Sequence, residues 1–240
     1  MKVLWRKLRW AWIWAVQILM RYDQVTDLKI AKIKTVRVGK WGGGAWRIPK
    51  TRLHKGLRVV SVGVGEESSF DEQLLGKWDA EVFAFDPTPK AAVHAASLME
   101  RFPLFYFEPL GLWDQDGEQL FYAPPDPTHV SHSLVGLRGE TPSFTAQCLS
   151  WESLLTRCGG ALPDVLKMDI EGAEYAVVKN ILSSGRFPSV ICLEFDETHS
   201  PMDAGWRERI RGCARELVDA GYQLVGVFPK GNYTFMQEMG

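Results

Sequence analysis

The chain has 240 residues, 46% of them hydrophobic and 24% charged, with a formal net charge of −1. These values are typical of a folded domain with one substantial core, and the near-neutral charge gives no support to a nucleic-acid partner. The sequence also has four widely spaced cysteines and no C-x-x-C pair, which favours buried thiols in a reducing compartment over disulfides or a zinc site: Cys148, Cys158, Cys192 and Cys213.

Residues 1–22 form a Trp-rich, basic segment that is predicted to be a helix. Its apolar run, residues 10–20, is shorter than the roughly 20 residues that a membrane-spanning helix needs. The basic flank is typical of a signal peptide, but no small-x-small cleavage site follows it. Trp with Lys and Arg suits contact with a membrane surface through residues 1–21, and docking on the domain or on a partner chain is an equal alternative. We therefore expect a cytoplasmic protein, with peripheral attachment at the inner face of a membrane as one option.

A polar, basic lead-in covers residues 23–56, and residues 57–240 are predicted to form the main domain. From Leu57 onward, apolar strand-like runs alternate with helical patterns. Strands are predicted at 57–65, 80–86, 164–169, 189–196, 222–229 and 232–238, and residues 102–114 are predicted to supply a further strand and a loop. Helices are predicted at 68–78, 90–102, 150–158, 172–185 and 206–221. Residues 115–147 are less regular and are expected to hold a hairpin or a substrate-side insertion.

This alternation predicts an α/β fold with a mostly parallel sheet and helices on both faces. The short connection at Lys230-Gly231 predicts that the last two strands form an antiparallel hairpin. Ligands of open α/β sheets bind beyond the carboxyl ends of the strands. The residues at four such ends are therefore candidates for function: 63–65, 86, 169–171 and 194–196.

The first strand ends in a glycine loop, Gly63-Val64-Gly65, which is followed by Glu66 and Glu67. This G-x-G is weak evidence alone, but Asp86 ends the second strand about 20 residues later, where a carboxylate can accept the ribose hydroxyls of an adenosine cofactor. The pyrophosphate of a dinucleotide would be repelled by two glutamates at the turn. S-adenosylmethionine carries a sulfonium and an amino group instead, so the acidic loop suits that cofactor better.

Carboxylates follow the fourth and fifth strands of the main domain. Asp169 and Glu171 end the fourth strand, and Glu174 is expected to serve the N-terminus of the next helix. Glu194, Asp196 and His199 are expected near the same rim, where a carboxylate or the imidazole is a candidate general base for a substrate hydroxyl. Carboxylates there could also hold a divalent cation, but no spacing is diagnostic and the sequence assigns no metal ligand.

Three stretches together resemble the FkbM-type S-adenosylmethionine-dependent methyltransferases: VVSVGVGEESSFDEQL, VFAFDPTPKA and DVLKMDIEGAEYAVVKNIL. The block Lys167 to Glu174 matches the family's K-[IM]-D-[IV]-E-G-A-E pattern, and Glu67 departs conservatively from the Asp of many relatives. GLWDQDGEQLFY is similar to the family's strand-three loop, in which an acidic residue lies near the adenine, and Asp114 is the matching position. The resemblance covers roughly residues 41–236.

The resemblance implies a class I methyltransferase fold, which is Rossmann-like and three-layered, with a seven-stranded, mostly parallel sheet and an antiparallel last strand. It implies methylation of a hydroxyl on a sugar, glycan or other small metabolite. Cofactor contacts are expected at Gly63, Gly65, Glu66, Asp86, Asp114 and Asp169, and catalytic roles at Asp169, Glu171 and His199.

Two alternatives to methyl transfer stay open on the sequence. A nicotinamide-dependent reductase would require Glu66 and Glu67 to point away from the pyrophosphate, and Tyr175 and Lys179 have the spacing of a reductase pair. A non-catalytic, membrane-associated scaffold is the other alternative, although the intact glycine loop and acidic strand ends argue against lost function.

Overall fold

The structure, a computed structural model, describes residues 21–41, 44–123, 141–228 and 231–238. The predicted N-terminal helix falls almost entirely on residues 1–20, which lie outside the described residues, as does Lys230 of the predicted connection. In the part of the chain that is described, no helix is both long enough and apolar enough to cross a membrane. All four cysteines are free and buried, as the sequence predicts.

Fourteen strands and five α-helices are described. The strands are β1 (Tyr22–Asp23), β2 (Leu28–Lys29), β3 (Thr35–Gly39), β4 (Ala45–Pro49), β5 (Arg58–Val62), β6 (Glu81–Phe85), β7 (Phe105–Glu108), β8 (Gly111–Leu112), β9 (Gly117–Ala123), β10 (Thr141–Leu149), β11 (Val165–Met168), β12 (Val190–Glu194), β13 (Tyr222–Phe228) and β14 (Asn232–Gln237). The helices are α1 (Ser69–Trp78), α2 (Pro89–Arg101), α3 (Trp151–Arg157), α4 (Glu174–Ser184) and α5 (Trp206–Asp219).

Seven strands form the central sheet in the order β13-β14-β12-β11-β5-β6-β7. The strands from β12 to β7 run parallel to their neighbours, whereas β14 is antiparallel to both β12 and β13. The predicted mostly parallel sheet with an antiparallel last strand is therefore confirmed. Because β12, β11, β5 and β6 are adjacent and parallel, the polar residues that follow them meet at one edge of the sheet.

Alternating side chains along the strands fill two apolar clusters, one on each face of the sheet. On β5, Val60 and Val62 pack in the cluster covered by α3, α4 and α5, whereas Val59 packs in the cluster covered by α1 and α2. Strands buried on both faces need continuous apolar sequence, and β11 and β12 have it apart from Lys167 and the terminal Glu194. This arrangement is the three-layer architecture predicted from the sequence.

The lead-in segment is structured, which the sequence analysis did not predict. Strands β3 and β4 pair as an antiparallel hairpin, and Val38, Trp46 and Ile48 lie in the apolar cluster beneath α1. The Trp46 ring meets Phe70 of α1 edge-on, with 5.3 Å between the ring centroids. Part of the lead-in therefore contributes to the core, and the predicted domain boundary at residue 57 stays a prediction.

The three strands that follow β7 and precede α3 in the chain form a separate small sheet. Strands β9 and β10 pair antiparallel, which confirms the hairpin predicted for residues 115–147, and β8 pairs parallel with β10. Phe121 and Phe144 stack across this pair with ring centroids 5.1 Å apart. The connection between the two strands, residues 124–140, lies outside the described residues.

Candidate functional site

A cavity of about 550 Å³ opens at the carboxyl ends of β5, β6, β11 and β12. It is bounded on its other sides by β4, β8 and β9, through Trp46, Leu112 and Phe121. Seven of the eight site residues predicted from the sequence line it, namely Gly63, Gly65, Glu66, Asp86, Asp169, Glu171 and His199. Asp114 is exposed and is not among the lining residues, so the structure does not bring it together with the others. Its predicted contact with a cofactor stays a prediction.

The glycine loop after β5 adopts a conformation that other residues adopt only with strain. Gly63 has φ +74° and Gly65 has φ +56°. A Cβ atom at Gly63 would lie 1.7 Å from the carbonyl oxygen of Asp169, whereas one at Gly65 would meet nothing within 4 Å. Gly63 thus lets the first strand end pass directly against the acidic end of β11.

Asp86 fixes the geometry of that loop from the end of β6. Its Oδ2 accepts a hydrogen bond from the Gly65 backbone N–H at 2.9 Å. Its Oδ1 accepts from both the backbone N–H and the hydroxyl of Thr88, at 2.8 and 2.6 Å. Three of the roughly four acceptor positions of the carboxylate are therefore used within the protein, which leaves one on Oδ2 for a ligand.

A buried lysine below the loop was missed by the sequence analysis. Lys167 has only 4% of its surface exposed, and its Nζ donates to the carbonyl oxygens of Val62 and Gly63. Nζ also lies 3.7 Å from Asp169 Oδ2 and 5.4 Å from the centroid of the Trp46 ring. The available signal was a single cation inside an otherwise apolar strand, because a buried Lys needs partners.

Asp71 of α1 is a second buried charge at the cavity. Burial raises its pKa to about 6, against the opposing effect of the Lys167 charge. The Trp46 indole N–H, also at the cavity wall, is buried and has no hydrogen-bond partner among the described residues. An unpaired buried donor is unfavourable, so this wall is suited to a polar ligand group.

The turn between β11 and α4 places a carboxylate on a strained backbone. Glu171 has φ +52°, and Gly172 after it has φ +94°. A non-glycine residue in this left-handed region costs about 1–3 kcal/mol and persists only where the surroundings impose it. The turn directs the chain so that Glu171 lines the cavity beside Asp169.

Carboxylates from β11, its following turn and the end of β12 form one group at this rim. Oxygen atoms of Asp169, Glu171 and Asp196 all lie within 4.8 Å of one another. Burial, followed by repulsion from the neighbouring carboxylates, raises the pKa of Glu194 to about 9 and that of Asp196 well above its usual range. His199 lies near both Glu194 and Asp196, as the sequence predicts, since its Nε2 lies 3.9 Å from Glu194 Oε1 and its backbone N–H donates to the Asp196 carbonyl oxygen at 2.8 Å.

Glu174 differs from its predicted role as an ordinary helix-end carboxylate. It is fully buried, and its Oε1 accepts a hydrogen bond from the Ile170 backbone N–H at 3.0 Å. Its Oε2 is buried with no hydrogen-bond partner. Burial and the negative charges of Glu171 and Asp169 raise the pKa of Glu174 to about 8. The sequence did not predict this burial, which arises because α4 begins at Glu174 and the preceding turn directs the side chain beneath the rim.

The Tyr175 and Lys179 pair considered for a reductase does not reach the cavity. Tyr175 donates its hydroxyl to Glu197 Oε2 at 2.9 Å and stacks on Phe195 with 5.7 Å between centroids. Burial and this hydrogen bond raise the pKa of Tyr175 above its ordinary value. The tyrosine serves the packing of α4 against β12 rather than the site.

The sequence matches a model of the Methyltransferase FkbM domain over residues 60–224. That span is more than half of the chain and includes the glycine loop, Asp86, the acidic turn and His199. None of the curated proteins matches the sequence significantly.

Several solved structures show a distant likeness to this chain. A mutant of MtNAS has 12% identity and a TM-score of 0.41, with 78% of this chain and 55% of that chain covered. Precorrin-6y C5,15-methyltransferase from Geobacter metallireducens has 12% identity and a TM-score of 0.41, with 78% and 85% covered. The fibrillarin pre-rRNA processing protein of Methanococcus jannaschii has 11% identity and a TM-score of 0.45, with 88% and 85% covered. The chain thus spans little more than half the length of MtNAS.

Proposed function

Because the chain belongs to the Methyltransferase FkbM domain family, we propose that it transfers a methyl group from S-adenosylmethionine to a hydroxyl group of a sugar, glycan or other small metabolite. The predicted class I methyltransferase fold is confirmed by this membership together with the seven-stranded sheet. The cofactor of the family is S-adenosylmethionine. We propose three further points, namely that an oxygen atom is methylated, that the acceptor is of the class named above, and that individual residues have the roles given below.

The residues at the cavity fit this cofactor. A loop that lacks Cβ atoms at Gly63 and Gly65 lets a ligand approach the backbone closely. Glu66 and Glu67 follow it, and they favour the positive charges of S-adenosylmethionine over the pyrophosphate of a dinucleotide. We propose cofactor contacts at Gly63, Gly65, Glu66, Asp86 and Asp169, whereas the contact predicted for Asp114, which does not line the cavity, stays a prediction. When bound, the cofactor supplies an electrophilic methyl group on its sulfonium.

Asp86 contributes more to the loop than to the ligand in this proposal. Its carboxylate holds Gly65 and Thr88 in place and keeps one free acceptor position on Oδ2. One ribose hydroxyl can donate to that position. We therefore propose a single hydrogen bond from the ribose to Asp86, instead of the two hydrogen bonds predicted from the sequence.

His199 is proposed to accept the proton of the acceptor hydroxyl. Its side chain is partly exposed at the cavity rim, and its Nε2 lies within 3.9 Å of Glu194 Oε1. Glu194 lies close enough to orient the ring. Asp169 and Glu171 line the same rim, and we propose that they position the acceptor.

The observation that carries the proposal is the excess of carboxylates where the glycine loop meets the ends of β11 and β12. Burial raises the pKa of two of them, Glu194 and Glu174, to about 9 and about 8. Burial and mutual repulsion disfavour the charged form of these carboxyl groups, and a bound cation would offset both effects, so the site favours a cationic ligand such as the family's cofactor.

Incubation with S-adenosylmethionine carrying a deuterated methyl group tests this proposal. Mass spectrometry of glycans and metabolites from cells with and without the protein first identifies candidate acceptors by a one-methylene mass difference. Purified protein should then transfer the labelled methyl group to an oxygen of such an acceptor. Label on nitrogen or carbon would overturn O-methylation while retaining methyl transfer, and transfer to no acceptor would contradict the proposal as a whole.

We also propose that residues 1–21 contact a membrane surface, which would place the protein at the inner face of a membrane. The support for this is compositional, since four tryptophans and several basic residues share that segment. A lipid-linked glycan would then be an accessible acceptor.

A further inference from the structure

Three carboxylates at the rim are close enough to share a single ion. The ligand oxygens of Asp169, Glu171 and Asp196 lie within 4.8 Å of one another. Hard divalent cations bind oxygen at about 2.0–2.6 Å, so two oxygens on one ion are separated by at most about 5 Å. The three side chains come from the end of β11, the strained turn after it and the segment after β12, so the fold brings them together from separate parts of the chain.

A fourth carboxylate lies beside this group with one of its two oxygens lacking a hydrogen bond. Glu174 is fully buried, and its Oε2 has no hydrogen-bond partner among the described residues. Its charge acts on Asp169, Glu171 and Asp196 alike, which places it against the cluster. Asp196 Oδ2 is likewise buried and without a hydrogen bond. Buried oxygens without a hydrogen bond are unfavourable, and a bound cation would give them a partner.

Two side chains that can carry a positive charge lie near these carboxylates. Lys167 Nζ lies 3.7 Å from Asp169 Oδ2, but it also donates to two backbone carbonyl groups. His199 Nε2 lies 3.9 Å from Glu194 Oε1 and is positive only when protonated. Lys167 therefore shares its charge between Asp169 and two backbone carbonyl groups.

We propose that Asp169, Glu171 and Asp196 bind one hard divalent cation of the Mg²⁺ class. The donors are all carboxylate oxygens, a set that suits Mg²⁺, Mn²⁺ and Ca²⁺ rather than the softer metals that select thiolate or imidazole. Glu174 and Glu194 lie behind the ligands and strengthen the negative potential at the ion. The left-handed backbone of Glu171 is explained by this arrangement, because it turns that carboxylate toward the other two.

The position of the ion has a consequence that rests on the proposed function. Asp169 and Glu171 line the cavity, so an acceptor hydroxyl could complete the coordination of the cation. A hydroxyl bound to a divalent cation loses its proton more readily, which would ease the transfer of that proton to His199. Binding of the ion itself requires neither cofactor nor acceptor.

Titration of the full chain with Mn²⁺ alone, followed by electron paramagnetic resonance, tests the binding. We expect one saturable site, with an affinity reduced at least tenfold in both Asp196→Asn and Glu171→Gln. Glu208→Gln removes an equal charge from an exposed position on α5 and should bind Mn²⁺ as the parent does. No saturable binding up to millimolar Mn²⁺, or equal affinity in Asp196→Asn and the parent, would overturn the proposal.

A stability measurement separates loss of binding from failure to fold. In chelator, Asp196→Asn should unfold at a higher temperature than the parent, because one of several repelling carboxylates is gone. With Mn²⁺ added, the parent should gain stability and Asp196→Asn should not. A parent that gains nothing from Mn²⁺ would contradict the site. These measurements need no S-adenosylmethionine. The cation site can therefore be refuted while methyl transfer is still observed, and methyl transfer can be refuted while the cation still binds.

Discussion

The close approach of the glycine loop to the acidic turn predicts a large effect of Gly63→Ala. A Cβ atom at this position would lie 1.7 Å from the carbonyl oxygen of Asp169, and real Cβ contacts essentially never fall below 3.0 Å. The two strand ends must therefore separate by about 1.3 Å, the difference between these distances. That movement strains the hydrogen bond from the Asp169 N–H to the Val62 carbonyl, now 3.2 Å.

Two contributions set the size of this effect. Alanine in the left-handed region, at φ +74°, costs about 1–2 kcal/mol. Forcing an extra carbon into a packed contact costs about 1–3 kcal/mol. Gly63→Ala should therefore lower the free energy of unfolding by roughly 2–5 kcal/mol. Gly65→Ala is the matched control, because φ is +56° but the added carbon meets nothing within 4 Å, so only about 1–2 kcal/mol is expected.

Urea unfolding of the two variants and the parent measures the differences in free energy of unfolding. Calorimetric titration with S-adenosylmethionine measures the effect of each substitution on cofactor binding. Because a displaced Asp169 would distort the rim, Gly63→Ala should weaken cofactor binding at least tenfold. Equal losses of stability in Gly63→Ala and Gly65→Ala would refute the reasoning, since strain without the clash would then account for both.

Three further predictions concern the buried acid, the proposed base and the N-terminal segment. Burial raises the pKa of Glu174 from 4.5 to about 8, so its contribution to stability is lost as the pH rises from 4.5 through 8. In chelator, the free energy of unfolding of Glu174→Gln, measured with urea, should be higher than that of the parent by roughly 3 kcal/mol at pH 7 and by little below pH 5. A difference that does not depend on pH would contradict this. His199→Gln should lower kcat by about 10²–10⁴ with unchanged affinity for S-adenosylmethionine, and a kcat within twofold of the parent would exclude His199 as the base. Deletion of residues 1–21 should abolish co-sedimentation with anionic vesicles, and unchanged co-sedimentation would refute membrane contact through that segment.

Much of the sheet was predictable because its strands are apolar runs that end at clear signals. Pro87 follows the strand that ends at Asp86, and the short connection at Gly231 predicts an antiparallel final pair. Once parallel order is inferred, the polar residues after four strands must meet at one edge. The carboxyl-end rule therefore indicated the glycine loop and the acidic rim of the cavity from sequence alone.

Contacts that depend on three-dimensional packing were not predictable in this way. Nothing local indicates that Trp46 packs on α1, because that contact joins segments far apart in the chain. Glu174 appears in sequence as a favourable helix-end carboxylate, and only the left-handed turn at Glu171 and Gly172 directs it into the core. In the sequence, Lys167 only interrupts an apolar strand. Its role becomes clear from the structure, where its Nζ donates to the carbonyl oxygens of Val62 and Gly63.

Calorimetric titration of the full chain with S-adenosylmethionine, and separately with NADH, tests the central claim most directly. The acidic loop at Glu66 and Glu67 and the carboxylates beyond β11 and β12 predict saturable binding of S-adenosylmethionine and none of NADH. Tight binding of NADH with no binding of S-adenosylmethionine would contradict it.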